Sequence, residues 1–97
     1  MEFEWDSEKS RTTLEARGFD FRYVSAVFLD PHRIERIDDR KDYGEERRQT
    51  IGEIDSRVFF VAFTFRGQAI RIISARRAHD NEERAYRASA AATRRNR

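Results

Sequence analysis

The chain has no cysteine, a single proline, four glycines and two histidines in 97 residues. Without cysteine no disulfide and no thiolate metal site can support the fold, which suits a reducing compartment. No apolar run approaches the length of a membrane span. The N-terminus, Met1-Glu2-Phe3-Glu4-Trp5-Asp6, has neither the basic segment nor the apolar core of a signal peptide. These absences predict a soluble, cytoplasmic protein with no membrane partner. The length sets one domain with a small core. Lysine is also scarce. Of 20 basic residues, only Lys9 and Lys41 are not arginine. Codon usage in a GC-rich genome accounts for that ratio as well as function does, so the placement of the arginines matters more than their number.

That placement is uneven. Residues 1–65 carry 11 basic and 15 acidic side chains, a net charge of −4; residues 66–97 carry 9 and 3, a net charge of +6. A basic last third suggests a polyanionic partner. Its densest part is Arg71-Ile72-Ile73-Ser74-Ala75-Arg76-Arg77, where a β-rich run ends among arginines. Guanidinium stays charged and presents a rigid fork of donors matched to phosphate.

Phe3-Glu4-Trp5 is a short strand. Asp6 caps a helix that runs to Arg17, with Gly18 at its C-terminal cap. The apolar stripe of this helix is thin, mainly Leu14 and Ala16, so it lies at an edge. Asp20 caps a second helix, with Phe19 and Val24 placed as a hydrophobic staple. Phe21, Val24, Val27 and Phe28 form its core face, and Asp30-Pro31 stops it. Strands are predicted over 33–37, 48–54, 57–65 and 69–75. The run Val58-Phe59-Phe60-Val61-Ala62-Phe63-Thr64-Phe65 is apolar on both faces and marks the central strand. On the last strand Ile70, Ile72 and Ser74 share one face, and Ala69, Arg71 and Ile73 the other. A final helix begins near Asp80 with Asp80 and Glu83 as a capping box and continues to Ala92. Residues 93–97 are expected to be a basic, disordered tail to a domain spanning 1–92. The order β-α-α-β-β-β-β-α predicts an α+β fold: an antiparallel sheet, two N-terminal helices on one face, and the other face partly open as a groove.

The residues Phe3-Glu4-Trp5-Asp6, Lys9, Gly18 with Phe21, Phe28 with Asp30-Pro31, Gly44-Glu45-Glu46-Arg47, Gly52, and Arg71 to Arg76 through Glu83-Arg84 and Tyr86 together resemble the BrnT toxins. The likeness runs from about residue 3 to about residue 87. One departure is Ala78-His79-Asp80, where many relatives carry Thr or Ser before the last helix. The resemblance implies a RelE-like fold and an endoribonuclease that blocks translation. It implies as partner a BrnA-like ribbon-helix-helix antitoxin, which would contact operator DNA on the toxin's behalf. No cofactor is expected.

Metal-independent RNA cleavage needs a proton acceptor near the ribose 2′-hydroxyl, cations at the developing phosphorane charge and a proton donor for the leaving oxygen. RelE-like enzymes are known for using basic residues where other ribonucleases use a histidine pair. Arg71 and Arg76 are the expected transition-state stabilisers; the alternative is that either pairs with Glu46 or Glu83 and braces the fold. Glu46 is a candidate proton acceptor, or a carboxylate that orients Arg71 or Arg76. Arg47 is a candidate phosphate contact. Arg66, Arg77 and Lys9 are candidate contacts to the RNA backbone, or simply solvated charges. Tyr86 either stacks on a base or packs in the core with its hydroxyl bonded. His79 reads as a surface residue at a helix start. Asp38, Asp39 and Asp42 match no calcium-loop spacing and read as a solvated loop, so no metal site is expected. Two further readings stay open: a toxin-fold module that binds antitoxin or RNA with catalysis weak or lost, and a plain RNA-binding surface.

Overall fold

The doubly apolar run at Arg57–Arg66 occupies the middle of a five-stranded sheet, as its composition requires. In the computed structural model, which describes residues 1–95, the elements are β1 (Glu2–Trp5), α1 (Ser7–Arg17), α2 (Phe21–Val24), a 3-10 segment (Ser25–Leu29), β2 (Ile34–Asp38), β3 (Arg47–Ile54), β4 (Arg57–Arg66), β5 (Ala69–Arg77) and α3 (Asp80–Arg95). The sheet order is β1-β5-β4-β3-β2. The element order is the one expected.

The sheet is mixed rather than wholly antiparallel, because β1 runs parallel to β5. The cause is connectivity: β1 is separated from β5 by the rest of the domain, so no hairpin constrains its direction. The meander β2-β3-β4-β5 is antiparallel throughout. The second helix is α-helical for one turn only and then tightens to 3-10. There the Ser25 hydroxyl donates to the Arg22 carbonyl and competes with the helical ladder. The last helix extends to Arg95, since the alanines and arginines after Tyr86 are good helix formers with no breaker among them. The tail expected over 93–97 thus begins inside this helix, and its residues 96 and 97 lie outside the described residues.

The predicted caps are present. The Asp6 carboxylate accepts from the amides of Glu8 and Lys9, and Gly18, at φ 87°, closes α1 in a left-handed conformation costly for any other residue. The Asp20 side chain accepts from the Tyr23 amide. Helix α1 is held by polar contact: Leu14 is 46 % exposed, and the buried Ser10 hydroxyl accepts from the Phe21 amide.

Two cores form, one on each sheet face. On the first, Phe19, Phe21, Val24, Val27 and Phe28 pack on Phe59, Val61, Phe63, Ile70 and Ile72. On the second, Tyr86 of α3 packs with Ile51, Val58 and Phe60. The alternation of β4 sorts these sets, odd-numbered residues facing the N-terminal helices and even-numbered ones facing α3. Helix α3 covers only one end of its face. At the other end the cross-strand row Glu4–Arg71–Thr64–Arg47–Asp38 has no helix over it.

Tyr86 settles in the core, 2 % exposed, and its hydroxyl donates to Asp30 Oδ2. The same carboxylate accepts from the amides of Glu53 (2.8 Å) and His32 (2.9 Å). Burial raises the Asp30 pKa, but these bonds outweigh it and hold the carboxyl below its usual range. Burial and the bond to Asp30 push the Tyr86 hydroxyl up. The close approach at this corner also explains Gly52. A Cβ there would stand 2.6 Å from Val27 Cγ2 and 3.3 Å from Asp30 Oδ2. Val27 is β-branched and fully buried and cannot turn aside. Gly52→Ala is expected to lower unfolding stability by about 1–3 kcal/mol in urea titrations. Tyr86→Phe, which removes one donor from a half-buried carboxylate, should cost about 1–3 kcal/mol in the same titrations.

Candidate active site

The uncovered end of the sheet is a cleft of about 210 Å³ lined by Asp6, Lys9, Glu45, Arg47, Arg66, Arg71, Ile72 and Ile73. Arg71 on β5 and Arg47 on β3 flank Thr64 of β4 in one cross-strand row, so alternation points both at the same face. Arg66 enters from the end of β4, and Lys9 from the first turn of α1, where the Asp6 cap fixes it beside the sheet. Thr64 is buried, and its hydroxyl donates to the Glu46 carbonyl at 2.7 Å, fixing the chain that leads into Arg47.

The cleft guanidiniums are only loosely engaged. Arg71 stands 3.8 Å from Glu4 and Arg66 3.8 Å from Glu45, well beyond the 2.7–2.9 Å of a tight charge-assisted bond. Among the described residues no carboxylate pairs with Arg47. Its guanidinium lies 4.2 Å from the Tyr43 ring centroid, and its Nε is buried with no partner. The Tyr43 hydroxyl donates to Asp38, which Arg40 grips with two 2.9 Å bonds. That grip holds Asp38 far below the ordinary carboxylate range and gives the acidic loop a structural role.

Of the seven residues singled out from sequence, four meet in this cleft: Lys9, Arg47, Arg66 and Arg71. Three do not. Arg76 faces the same side of the sheet but lies opposite Phe60, four residues along β4 from Thr64, which places it about 13 Å from Arg71. Its guanidinium stacks on the Phe60 ring at 4.0 Å and binds Glu82 at 2.8 and 3.1 Å. The brace considered for Arg76 thus exists, with Glu82 rather than Glu46 or Glu83. Glu46 is turned toward Arg48, 3.0 Å away, and reaches neither Arg71 nor Arg76. Arg77 faces the opposite side and lies 5.6 Å from the Phe59 ring.

Two features escaped the sequence reading. Glu45, not Glu46, shares the cleft with Arg47. Both glutamates precede β3 in a stretch that turns at Gly44, φ 74°, so strand alternation does not apply there and no local pattern separates them. The second is a bulge. Ile72 pairs with Phe63 and Ser74 with Ala62, leaving Ile73 unpaired, so the face assignment reverses from there on. Ser74 is therefore exposed and Ala75 buried.

A larger concavity, about 600 Å³, runs along α3 between Asp80, Glu83, Arg84 and Arg87. Arg87 is tied to Glu53 at 2.8 Å and to Glu83 at 3.3 Å, which leaves less free positive charge than in the cleft. Among the described residues no three His, Asp or Glu side chains are grouped as metal ligands, and no helix is long and apolar enough to cross a membrane.

Residues 5–82 match the family model for BrnT, the ribonuclease toxin of type II toxin–antitoxin systems. The chain belongs to the BrnT family. Membership brings a ribonuclease activity, an RNA target and a protein antitoxin. No curated protein matches the chain significantly. All eight lining residues of the cleft fall within the part shared with the BrnT family.

The capping of α3 also differs from expectation. Glu82, not Glu83, reaches back to the amide of His79 at 2.8 Å, while binding Arg76. The bond to Arg76, more than the one to His79, holds the Glu82 pKa down at about 2. A lowered carboxyl pKa stabilises the fold above the ordinary range near 4.5 and loses that contribution as pH falls through about 2. Glu82→Gln is expected to be less stable than wild type at pH 7, by an amount on the order of 2 kcal/mol. In thermal unfolding followed across pH, the two proteins should converge between pH 4.5 and 2; a gap that persists at pH 2 contradicts this assignment.

Proposed function

We propose that the cleft is the ribonuclease centre of a metal-independent endoribonuclease with a RelE-like architecture, acting on RNA in the cytoplasm to block translation. The observation that carries this reading is the convergence of Lys9, Arg47, Arg66 and Arg71 on one small concavity whose cations are not tightly neutralised.

The chemistry follows from the residue types. A phosphodiester in the cleft meets Arg47 and Arg71 from two strands, whose forks hold the two non-bridging oxygens. The ribose 2′-oxygen attacks phosphorus as its proton passes to a carboxylate, for which Glu45 is the best-placed candidate. Negative charge grows on the phosphorane oxygens, where Arg47 and Arg71 stabilise it. The 5′-oxygen leaves with a proton from Lys9, giving a 2′,3′-cyclic phosphate and a 5′-hydroxyl end. Arg66 holds the backbone beside the cut. Arg76 acts as a brace for α3 rather than at phosphate. A BrnA-like ribbon-helix-helix antitoxin, with operator DNA bound only by that partner, completes the reading.

Arg71→Ala and Arg47→Ala are each expected to cut the RNA-cleavage rate about a hundredfold or more while leaving the melting temperature near wild type. Arg76→Ala should do the reverse, lowering the melting temperature with a smaller loss of rate. Equal activity of wild type and Arg71→Ala contradicts the site. RNA affinity should fall as salt rises, because phosphate contacts release counterions. Chelator should leave the rate unchanged, and inhibition by it contradicts metal independence.

A further inference from the structure

Strand β1 pairs with β5 only as far as Ile72, after which the chain turns into the Asp6 cap of α1. From Ile73 onward β5 has no strand on its outer side. Helix α1 lies alongside instead, and between them is a second concavity of about 240 Å³. It is lined by Thr12 and Thr13 of α1, by Ser74 and Ala75 of β5, and by Lys9 and Ile73. Lys9 and Ile73 also line the cationic cleft. The two hollows are therefore neighbours with a common wall. Ile73 is the bulged residue, and a bulge re-aims its side chain away from the regular pleat.

The two hollows differ in chemistry. The first is ringed by charged side chains. The second also has Glu8, Lys9 and Arg17 of α1 among its lining residues, but most of its surface is apolar, with Phe21, Ile73 and Ala75 contributing, and along one side runs a strand edge that lacks a β partner. Apolar surface suits the flat face of an unstacked base, and a strand edge offers backbone donors and acceptors to its rim. At about 240 Å³ the hollow has room for one base.

We propose that this hollow is a nucleobase subsite of the ribonuclease, in which the base next to the scissile phosphate is held against the free edge of β5. Ile73 is the partition between base and phosphate, and the outer edge of β5 reads the base. The thin apolar face of α1 follows from this use, since the helix forms one wall of the hollow instead of burying a stripe. The inference rests on the cleft being the cleavage site.

The test fills the hollow from each wall in turn, with Ser74→Phe from the strand and Thr12→Tyr from the helix. Both positions are exposed, and neither lines the cationic cleft. Wild type and variants cleave a random-sequence RNA, and the 5′-hydroxyl ends are mapped. Binding of an abasic oligoribonucleotide, which has phosphates and no bases, is measured alongside. The ratio of kcat/KM between the most and least favoured nucleotide at the cut should change about tenfold in both variants. Abasic binding should stay within about twofold of wild type. An unchanged nucleotide profile in an active, folded variant overturns the subsite and leaves the cleavage site standing. Loss of abasic binding together with all cleavage shows that the filled hollow belongs to the phosphate site and likewise overturns the subsite. Failure of the wild type to cleave RNA overturns both readings. Should Ser74→Phe fail to fold, Thr12→Tyr on the helix surface decides the question alone.

Discussion

The hydrogen bond from Tyr86 to Asp30 decides which half of the sheet stays open. It ties α3 to the corner where the 3-10 segment ends, and the Asp30 carboxylate is already committed to the amides of His32 and Glu53. With Tyr86 anchored there, α3 covers Ile51, Val58 and Phe60. It cannot also cover the row through Thr64, about 13 Å further along β4. The Arg76–Glu82 pair pins the start of the same helix. The cleft is what remains when one helix, fixed at two points, is shorter in reach than the strands beneath it.

This geometry separates arginines that look alike in the sequence. Arg71 and Arg76 stand five residues apart, and a regular strand would send them to opposite faces. The bulge at Ile73 restores them to one face, yet they meet different surroundings. Arg76 has an aromatic ring beneath it and a carboxylate gripping both of its terminal nitrogens, so the fork it would offer a phosphate is occupied. Arg71 has a carboxylate at 3.8 Å and keeps its fork available. A half-buried guanidinium held by two charge-assisted bonds is committed to the fold; a loosely held cation at a concavity is available to a ligand.

Much of the fold was legible because local chemistry and tertiary structure agree. Asp6, Gly18, Asp20 with Phe19 and Val24, and the doubly apolar run of β4 each signal their element, and each is found in it. What was illegible has physical causes. The parallel pairing of β1 is a long-range choice that no local pattern records. A bulge leaves no residue signature in a run of isoleucine, serine and alanine. The capping of α3 passed to Glu82 because Arg76, distant in pattern but near in space, holds that carboxylate in reach of the His79 amide. The choice between Glu45 and Glu46 was equally hidden, since both lie before β3 in a loop that turns at Gly44, where strand alternation gives no guide.

The long contacts in the cleft also bear on how it can hold substrate. Four cations on one small surface repel one another, and Asp6, Glu4 and Glu45 offset that repulsion. At 4 Å an ion pair gains about 4 kcal/mol at an effective dielectric near 20, but solvent and side-chain freedom reduce exposed pairs to about 0–1 kcal/mol. Arg66 is half exposed, so its contact with Glu45 belongs to the weak end. Such carboxylates hold the arms over the cleft without saturating their donors. On the proposed function, a phosphate offering two fork-shaped contacts at normal hydrogen-bond length would outcompete them, and Glu45, once displaced, would be free beside the ribose. Tight pairing of the kind Arg76 makes with Glu82 would leave the same charges in place and deny them to RNA.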